Sequence, residues 1–265
     1  MPPLALVGNL SYDLIDGAPP QLGGAPIHCG NAFRALHVRA TTIARCATAD
    51  QPRFRRGFAR LGLPARLVPG RETTTFAFSY DGDRRIMRVD RVGDVWSHED
   101  LPDLPRGGWV HLAPLLRGDF PARTIAAIAR GRRVSLDGQG LTRARKAGPL
   151  ELERDPELAV LLRHVSILKL AAEEAEALVG GIDTDALASL GPPEVVVTFG
   201  SRGSLVVAGG LATKVPARYV DVDPTGSGDA YAAAYLTSRA SGHAPAAAGR
   251  RATALVAAVL SERAR

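Results

Sequence analysis

The residues best suited to do chemistry form one short run, Asp223-Pro224-Thr225-Gly226-Ser227-Gly228-Asp229, followed by Ala230-Tyr231-Ala232-Ala233-Ala234-Tyr235-Leu236. A turn of small residues leads straight into an Ala-rich segment, the composition of a helix. Glycine and serine let backbone N–H groups converge at a helix N-terminus, where the dipole also favours an anion. Asp229 falls in the first turn of that helix and has two readings. One is complementation of the dipole, worth about 0.3–1 kcal/mol. The other is a general base beside an anion hole that stabilises a transferring phosphoryl group. The run lacks the Lys-Ser/Thr ending of a P-loop and is not G-x-G-x-x-G, so taken alone it favours the first reading.

Such a turn needs a frame to hold it. Leu4 to Gly8 reads as a buried strand, Ser11 to Gly24 as turn-rich chain, and Pro26 to Val38 as a helix with proline in its first turn. Thr41 to Ala47 reads as a strand and Arg53 to Leu61 as a helix ending at Gly62. Thr73 to Tyr80 and Arg84 to Val89 alternate around Asp81-Gly82-Asp83, which predicts a hairpin. Then the rhythm changes. Strands are expected at Trp109–Ala113, Arg133–Asp137, Val165–Leu170 and Glu194–Thr198, with helices at Pro121–Arg130, Glu157–His164, Glu173–Val179 and Asp183–Leu190. A strand pair, Ser204–Val207 and Ala212–Pro216, precedes two helices around Gly242. Alternating strands and helices imply a mostly parallel sheet covered on both faces. Ligands bind such sheets beyond the carboxyl ends of the strands, which points to Asn9, Asp13, Asp137, Lys169, Thr198 and Gly200.

Composition narrows the class. The chain has 265 residues, 46% hydrophobic and 23% charged, which is ordinary globular usage and implies one large domain. No apolar run is long enough for a membrane span, and Met1 to Asn9 lacks the basic start of a secretory signal. Two cysteines, Cys29 and Cys46, cannot make a disulfide framework or a four-ligand metal site, so a cytoplasmic setting is expected. The net charge is +6, and only three of the 33 basic residues are lysines. The arginines are scattered and aromatics are 5%, without the interleaving of a stacking platform, so no nucleic-acid partner is expected. A positive field also draws in an anionic small ligand.

Asp223 to Asp229 resembles the C-terminal signature of the ribokinase-like (phosphofructokinase-B) carbohydrate kinases, with Ser227 in place of the usual Ala. The resemblance implies that Asp229 deprotonates an acceptor hydroxyl and that Gly226, Ser227 and Gly228 form the anion hole. Other segments fall in the family's order. Gly23-Gly24 before a helix resembles the di-glycine that lets a sugar lie against backbone and hinges a lid. His28 stands where the family often has Asn, and is either a substrate contact or a core histidine; Asn31, one turn on, shares its face. Gly8 and Asp13 match the first strand and the acidic residue that takes acceptor hydroxyls, since a carboxylate accepts two such bonds at once.

On the donor side, Val197-Thr198-Phe199-Gly200-Ser201-Arg202-Gly203 resembles the nucleotide wall, which assigns Thr198, Gly200, Gly203 and Thr225 to ATP. Lys169 to Glu176 resembles a segment that usually reads Asn-x-x-Glu. Glu174 matches the Glu that organises Mg²⁺ through water, and Ala171 stands where Asn belongs. Lys169 is either the missing phosphate contact or an ordinary surface lysine. Asp137-Gly138-Gln139-Gly140 with Arg143 resembles a variant that puts Asp137, Gln139 and Arg143 at the substrate rim.

The resemblance implies a three-layer α/β/α fold over 1–265, with a small β lid from about 10–22 and 73–90, made mainly from the second of these. It implies an ATP- and Mg²⁺-dependent kinase of a sugar or cyclitol, myo-inositol-like acceptors included. A nucleoside kinase of the same family and a silent sugar- or nucleotide-binding member are the alternatives. A monovalent cation is compatible with it, as are monomer and homodimer.

Overall fold

A computed structural model describes residues 1–15, 18–81, 84–220 and 225–263. The chain opens with β1 (Leu4–Asn9), β2 (Ser11–Ile15), β3 (Gln21–Gly23) and α1 (Ala25–Ala35). It continues with β4 (Ala40–Ala47), α2 (Gln51–Arg60), β5 (Ala65–Gly70), β6 (Thr74–Asp81) and β7 (Arg84–Arg91). The middle holds β8 (Trp109–Ala113), α3 (Ala122–Ala129), β9 (Arg133–Asp137), α4 (Gln139–Thr142), β10 (Gly148–Pro149) and α5 (Leu158–Leu162). Then come β11 (Ile167–Ala171), α6 (Ala172–Val179), α7 (Thr184–Ala188) and β12 (Glu194–Thr198). The chain closes with β13 (Ser204–Ala208), β14 (Leu211–Val215), α8 (Ser227–Ala240) and α9 (Pro245–Arg263).

The larger sheet has the order β14-β13-β12-β11-β9-β8-β1-β4-β5. It is parallel except at β12–β13 and β13–β14. Its strands are apolar on both faces because both are covered. Alternation sorts the side chains. Ala5 and Val7 of β1 join Ile125, Leu161, Leu178 and Leu187 under α3, α5, α6 and α7. Leu4 and Leu6 join Cys29, Phe33, Tyr235 and Ala252 under α1, α8 and α9. These are the three layers expected. The strand β5 was not expected. It contains Pro69, which removes a ladder donor, and it is tolerated because β5 is the sheet's edge.

The second, smaller sheet draws on both stretches named for the lid, about 10–22 and 73–90, with most of its strand residues from the hairpin. Its order is β10-β7-β6-β2-β3. The hairpin supplies β6 and β7; its Gly82 and Asp83 lie outside the described residues. The stretch read as turn-rich chain supplies β2 and β3. Pro19, Pro20 and the glycines gave it a loop's composition, but β2 gains its ladder from β6, some sixty residues away, in parallel register. No local signal reports such a partner. The helix α2 braces the root of this sheet. Its Phe54 ring lies 5.2 Å from Tyr12 of β2. With Phe58 it packs among Leu10, Leu22 and Leu63, and burying each such ring is worth about 1.5–3 kcal/mol.

Candidate active site

A cleft of about 480 Å³ opens between the second sheet and the carboxyl ends of the larger sheet's strands. Its lining gathers Asp13, Gly24, His28, Gln139, Arg143, Lys169, Glu174, Thr198, Gly200, Thr225, Gly226, Ser227, Gly228 and Asp229 from across the chain. Four candidates lie elsewhere. Gly23 is behind the Asp13 carboxylate: a Cβ there would stand 2.5 Å from Asp13 Oδ2. Gly203 lines a neighbouring slot. Asn31 is a turn deeper in α1, with its Oδ1 buried and without a hydrogen-bond partner. Asp137 is 1% exposed and sits beneath the cleft, not at its rim.

The start of α8 is the cleft's centre. Gly226 adopts φ +77° at the helix cap, the left-handed region that suits glycine, and a Cβ there would run into the His28 ring. His28 is thereby placed against the turn, on the cleft side of α1. The first N–H groups of a helix have no acceptor within it, so the turn 226–228 presents donors to the cleft. Asp223 and Pro224, the beginning of the signature, lie outside the described residues. Asp229 Oδ1 is buried and without a hydrogen-bond partner. Burial, reinforced by Asp137 and Asp13 and opposed by Lys169 and Arg143, pushes the Asp229 carboxyl up to about 7. A carboxyl so poised serves as a general base near neutral pH.

Below the turn lies a sealed layer of charge. Lys169 is 6% exposed, and its Nζ pairs with Asp137 Oδ2 at 3.3 Å. The same Nζ would stand 3.1 Å from a Cβ at Gly228, which places an ammonium directly under the turn 226–228. Burial alone would lower the lysine's pKa; Asp137, Glu174 and Asp229 outweigh it and raise it. Burial likewise disfavours the Asp137 anion, but Lys169 and His111, with the Gln139 N–H, hold its carboxyl below the usual range. His111, enclosed beside them, is pushed down to about 4 by burial and is neutral. Lys169 is therefore not a surface lysine, and the rim position expected for Asp137 is replaced by an ion pair: a carboxylate at the end of a strand buried on both faces needs a partner.

Glu174 shows what the Ala171 exchange does. Glu174 Oε2 accepts the Ala171 N–H at 2.8 Å, capping α6, and Oε1 is 4.0 Å from Arg143. Burial pushes its carboxyl up. Among the described residues no three His, Cys, Asp or Glu side chains form a metal cage. Glu174, a carboxylate lining the cleft, is a donor of the kind that fits a divalent ion.

The cleft also has residues that motif reading missed. Ser11, Phe76, Phe78, Met87 and Leu115 line one end. Ser11 Oγ donates to Asp13 Oδ1 at 3.0 Å. Phe76 and Phe78 are the inward residues of the alternation in β6, so that alternation was a usable signal. Beyond the other end lies a slot of about 360 Å³, sharing Thr198, Gly200, Ser227 and Gly228 with the cleft. Ala217, Val220, Tyr231, Val256 and Leu260 give it apolar walls. The Thr198 hydroxyl between the two donates to Leu170 O at 3.2 Å.

Residues 74–264 match the family described as pfkB family carbohydrate kinase. The chain is 32% identical over 237 residues to an inositol 3-kinase of Oryza sativa subsp. japonica, an alignment covering 82% of this chain and 56% of that protein. It is 31% identical over 264 residues to a fructokinase of Klebsiella pneumoniae, covering 89% and 83%. Among solved structures, a pyrophosphate-dependent kinase in the ribokinase family, complexed with a pyrophosphate analog and myo-inositol, superposes with a TM-score of 0.86. That pair is 23% identical and the match covers 97% of this chain and 95% of the other, which establishes the ribokinase-like fold. This chain spans little more than half the length of the rice relative. No helix among the described residues is long and apolar enough to cross a membrane.

Proposed function

Because the chain belongs to the pfkB family of carbohydrate kinases, we propose that it moves the γ-phosphoryl group of ATP to a hydroxyl of a small cyclitol or sugar, with a myo-inositol-like ring as the preferred acceptor. One observation carries this reading: the Asp229 carboxylate, poised near neutrality with an unpartnered oxygen, stands in the same cleft as the donor-rich turn 226–228. The relatives named as inositol 3-kinase support the cyclitol, and the fructokinase supports the wider sugar class.

The acceptor lies between Asp13 and Asp229, which hold its hydroxyls. Asp229 takes the proton of the reacting hydroxyl as its oxygen attacks the γ-phosphorus. The bond to the β-phosphate oxygen breaks and ADP leaves. The N–H groups of Gly226, Ser227 and Gly228, with the Lys169 ammonium beneath them, meet the charge that spreads over the transferring group. Glu174 is the carboxylate that would hold a magnesium-bound water, and the ion, arriving with the donor, would supply neutralisation of phosphate charge. The second sheet keeps bulk water from competing as acceptor.

ATP is favoured over pyrophosphate as donor by the apolar slot beyond Gly203, which suits a purine and has no use for an inorganic donor. Pyrophosphate is a second reading because a pyrophosphate-dependent kinase shares the fold so closely. Both donors, with magnesium, should be tested against myo-inositol, fructose and inosine, with Asp229→Asn as control. Acceptor-dependent ADP release, lost in the variant, is the expected result. Phosphate release from pyrophosphate alone would replace the donor. Donor binding without turnover on any acceptor would make the chain a silent binding protein.

A further inference from the structure

Residues 34–71 hold nine arginines and one carboxylate, Asp50, a net charge of +8, so the rest of the chain carries −2 of the total of +6. They span the end of α1, then β4, α2 and β5, at one edge of the larger sheet. A cavity of about 460 Å³ lies here, between the last turn of α1 and the amino end of β4. The candidate active site lies at the carboxyl ends of the strands, so this cavity is at the opposite end of the sheet. Arg34, His37 and Arg39 line it and no Asp or Glu does. Among the described residues none of these three side chains has an ion pair or hydrogen bond. Such arginines are free to take an anion, and a guanidinium meets a phosphate with two parallel N–H bonds. The last carbonyls of α1 do not compete for them. Ala32, Arg34 and Phe33 O accept the Leu36, His37 and Val38 N–H groups at 3.0, 3.0 and 2.8 Å. Deeper in, Thr42 is 8% exposed and pairs with Leu6 on the sheet face that α1 covers. It lines the cavity, and its hydroxyl has no hydrogen-bond partner among the described residues. A buried hydroxyl without a partner costs free energy, and a ligand that pairs with it removes that cost. Phe33, Val38 and Leu63 complete the wall with apolar surface.

We propose that this cavity is a second binding site, separate from the cleft, for the phosphate monoester of a small organic molecule. The phosphate lies between Arg34 and Arg39, whose two charges match its own, and the Thr42 hydroxyl donates to one of its oxygens. A bare phosphate leaves the wall of Phe33, Val38 and Leu63 uncovered, whereas the organic part of an ester covers it. The concentration of positive charge over residues 34–71 draws the anion to this edge, and the cavity with its buried hydroxyl gives it a defined seat. The site uses no residue of the cleft and does not depend on the kinase reading.

The test is calorimetric titration of fructose 6-phosphate, inorganic phosphate and fructose into the wild type and four variants at about 0.15 M salt, where long-range charge is largely screened. The variants are Arg34→Glu, Arg39→Glu, Thr42→Val and Arg66→Glu. Arg66 is exposed on β5 and outside the cavity lining, so its reversal changes the net charge equally without touching the seat. Binding of the phosphate ester is expected to weaken by roughly 10-fold or more in Arg34→Glu and Arg39→Glu. It should weaken by about fivefold in Thr42→Val, which removes the hydroxyl at nearly constant shape, and stay within about twofold in Arg66→Glu. Inorganic phosphate should bind more weakly than the ester and follow the same order of variants, and fructose should respond to none of them. Equal weakening by all three arginine reversals would show a diffuse basic face and overturn the site. Unchanged binding in Arg34→Glu and Arg39→Glu would place the phosphate in the cleft and overturn it too, as would a wild type that binds neither phosphate probe. The three arginines are exposed, so if Thr42→Val does not fold, their variants decide. None of these readings uses turnover, so failure of the kinase reading and failure of this site are told apart.

Discussion

The floor and the roof of the cleft are built in opposite ways. The floor is the ends of β9, β11 and β12 with the start of α8. It seals charge under backbone: Lys169 on Asp137, neutral His111 beside them, Glu174 on the Ala171 N–H. These pairings are made within the protein, so the charge is oriented before any ligand arrives, the condition under which it stabilises a transition state best. The roof is β2, β6 and β7. It offers aromatic and thioether surface and, among the described residues of the lining, one short polar pair, Ser11 and Asp13. Such a surface discriminates by shape and by the burial of hydroxyls. The division implies that changes in the floor act on kcat and changes in the roof act on acceptor KM.

The largest effect should come from Asp229→Asn. Removing a positioned base lowers kcat by roughly 10²–10⁴-fold, with the fold intact and the acceptor KM little changed. Near-wild-type turnover would erase the floor's role. In the wild type the base must be ionised, so kcat should rise with pH through an acid limb near 7 that the variant lacks. Stability gives an independent sign. The folded carboxyl has a raised pKa, so the folded state holds its proton longer than the unfolded state and loses stability as pH rises from about 4 to 7. Asn cannot ionise. The variant's melting temperature should therefore exceed the wild type's at about pH 8, and the gap should close toward about pH 4. A gap independent of pH would mean that the carboxyl is not perturbed.

Next in size is Gly228→Val. A Cβ at this position already approaches Lys169 Nζ at 3.1 Å, so a branched side chain pushes either the ammonium or the turn out of place. Loss of one aligned donor in an anion hole costs roughly 10²–10³ in kcat. Normal turnover in this variant would move the anion hole elsewhere in the cleft.

Floor and roof also differed in how far the sequence revealed them. The floor's residues sit at strand ends and in one Gly-rich turn, and these are local features. Asp229, Gly226, Lys169, Glu174 and Thr198 were named from spacing and resemblance, and the cleft holds them all. The roof depends on long-range pairing. Ser11 to Gly24 had a loop's composition, and nothing near it in the chain shows that Asp13 will lie opposite Phe76. Burial misled at Asp137. A carboxylate at a strand end reads as a rim residue until the lysine one strand over claims it. The Ala171 exchange similarly looked like a missing phosphate contact, whereas its backbone N–H is the group that fixes Glu174.

A smaller effect, and the first on the roof, is expected of Asp13→Ala. Hydrogen bonds to a charged group are worth about 1.5–3 kcal/mol, so the acceptor KM should rise by roughly 10- to 100-fold while the donor KM holds. Binding isotherms for ADP and for the acceptor, measured separately, check this. Equal weakening of both would mean that Asp13 supports the cleft as a whole, and the floor–roof division would fail at its clearest point.

Ser11→Ala should give the smallest effect and the sharpest test of order within the roof. Ser11 is 1% exposed, and its hydroxyl donates to Asp13 Oδ1 at 3.0 Å, so it holds the carboxylate in one rotamer beneath Gly23. Without that bond Asp13 keeps its charge but loses its direction. The net worth of such a bond is about 1 kcal/mol, which predicts about a fivefold rise in acceptor KM. The kcat, its acid limb and the donor KM should stay as in the wild type, because the Ser11 hydroxyl bonds to Asp13 in the roof. In an Asp13→Ala background the same substitution should add little, since its only effect is exerted through that carboxylate. Additive losses in the double variant would give Ser11 its own contact with the acceptor and make the polar edge of the roof a two-residue site.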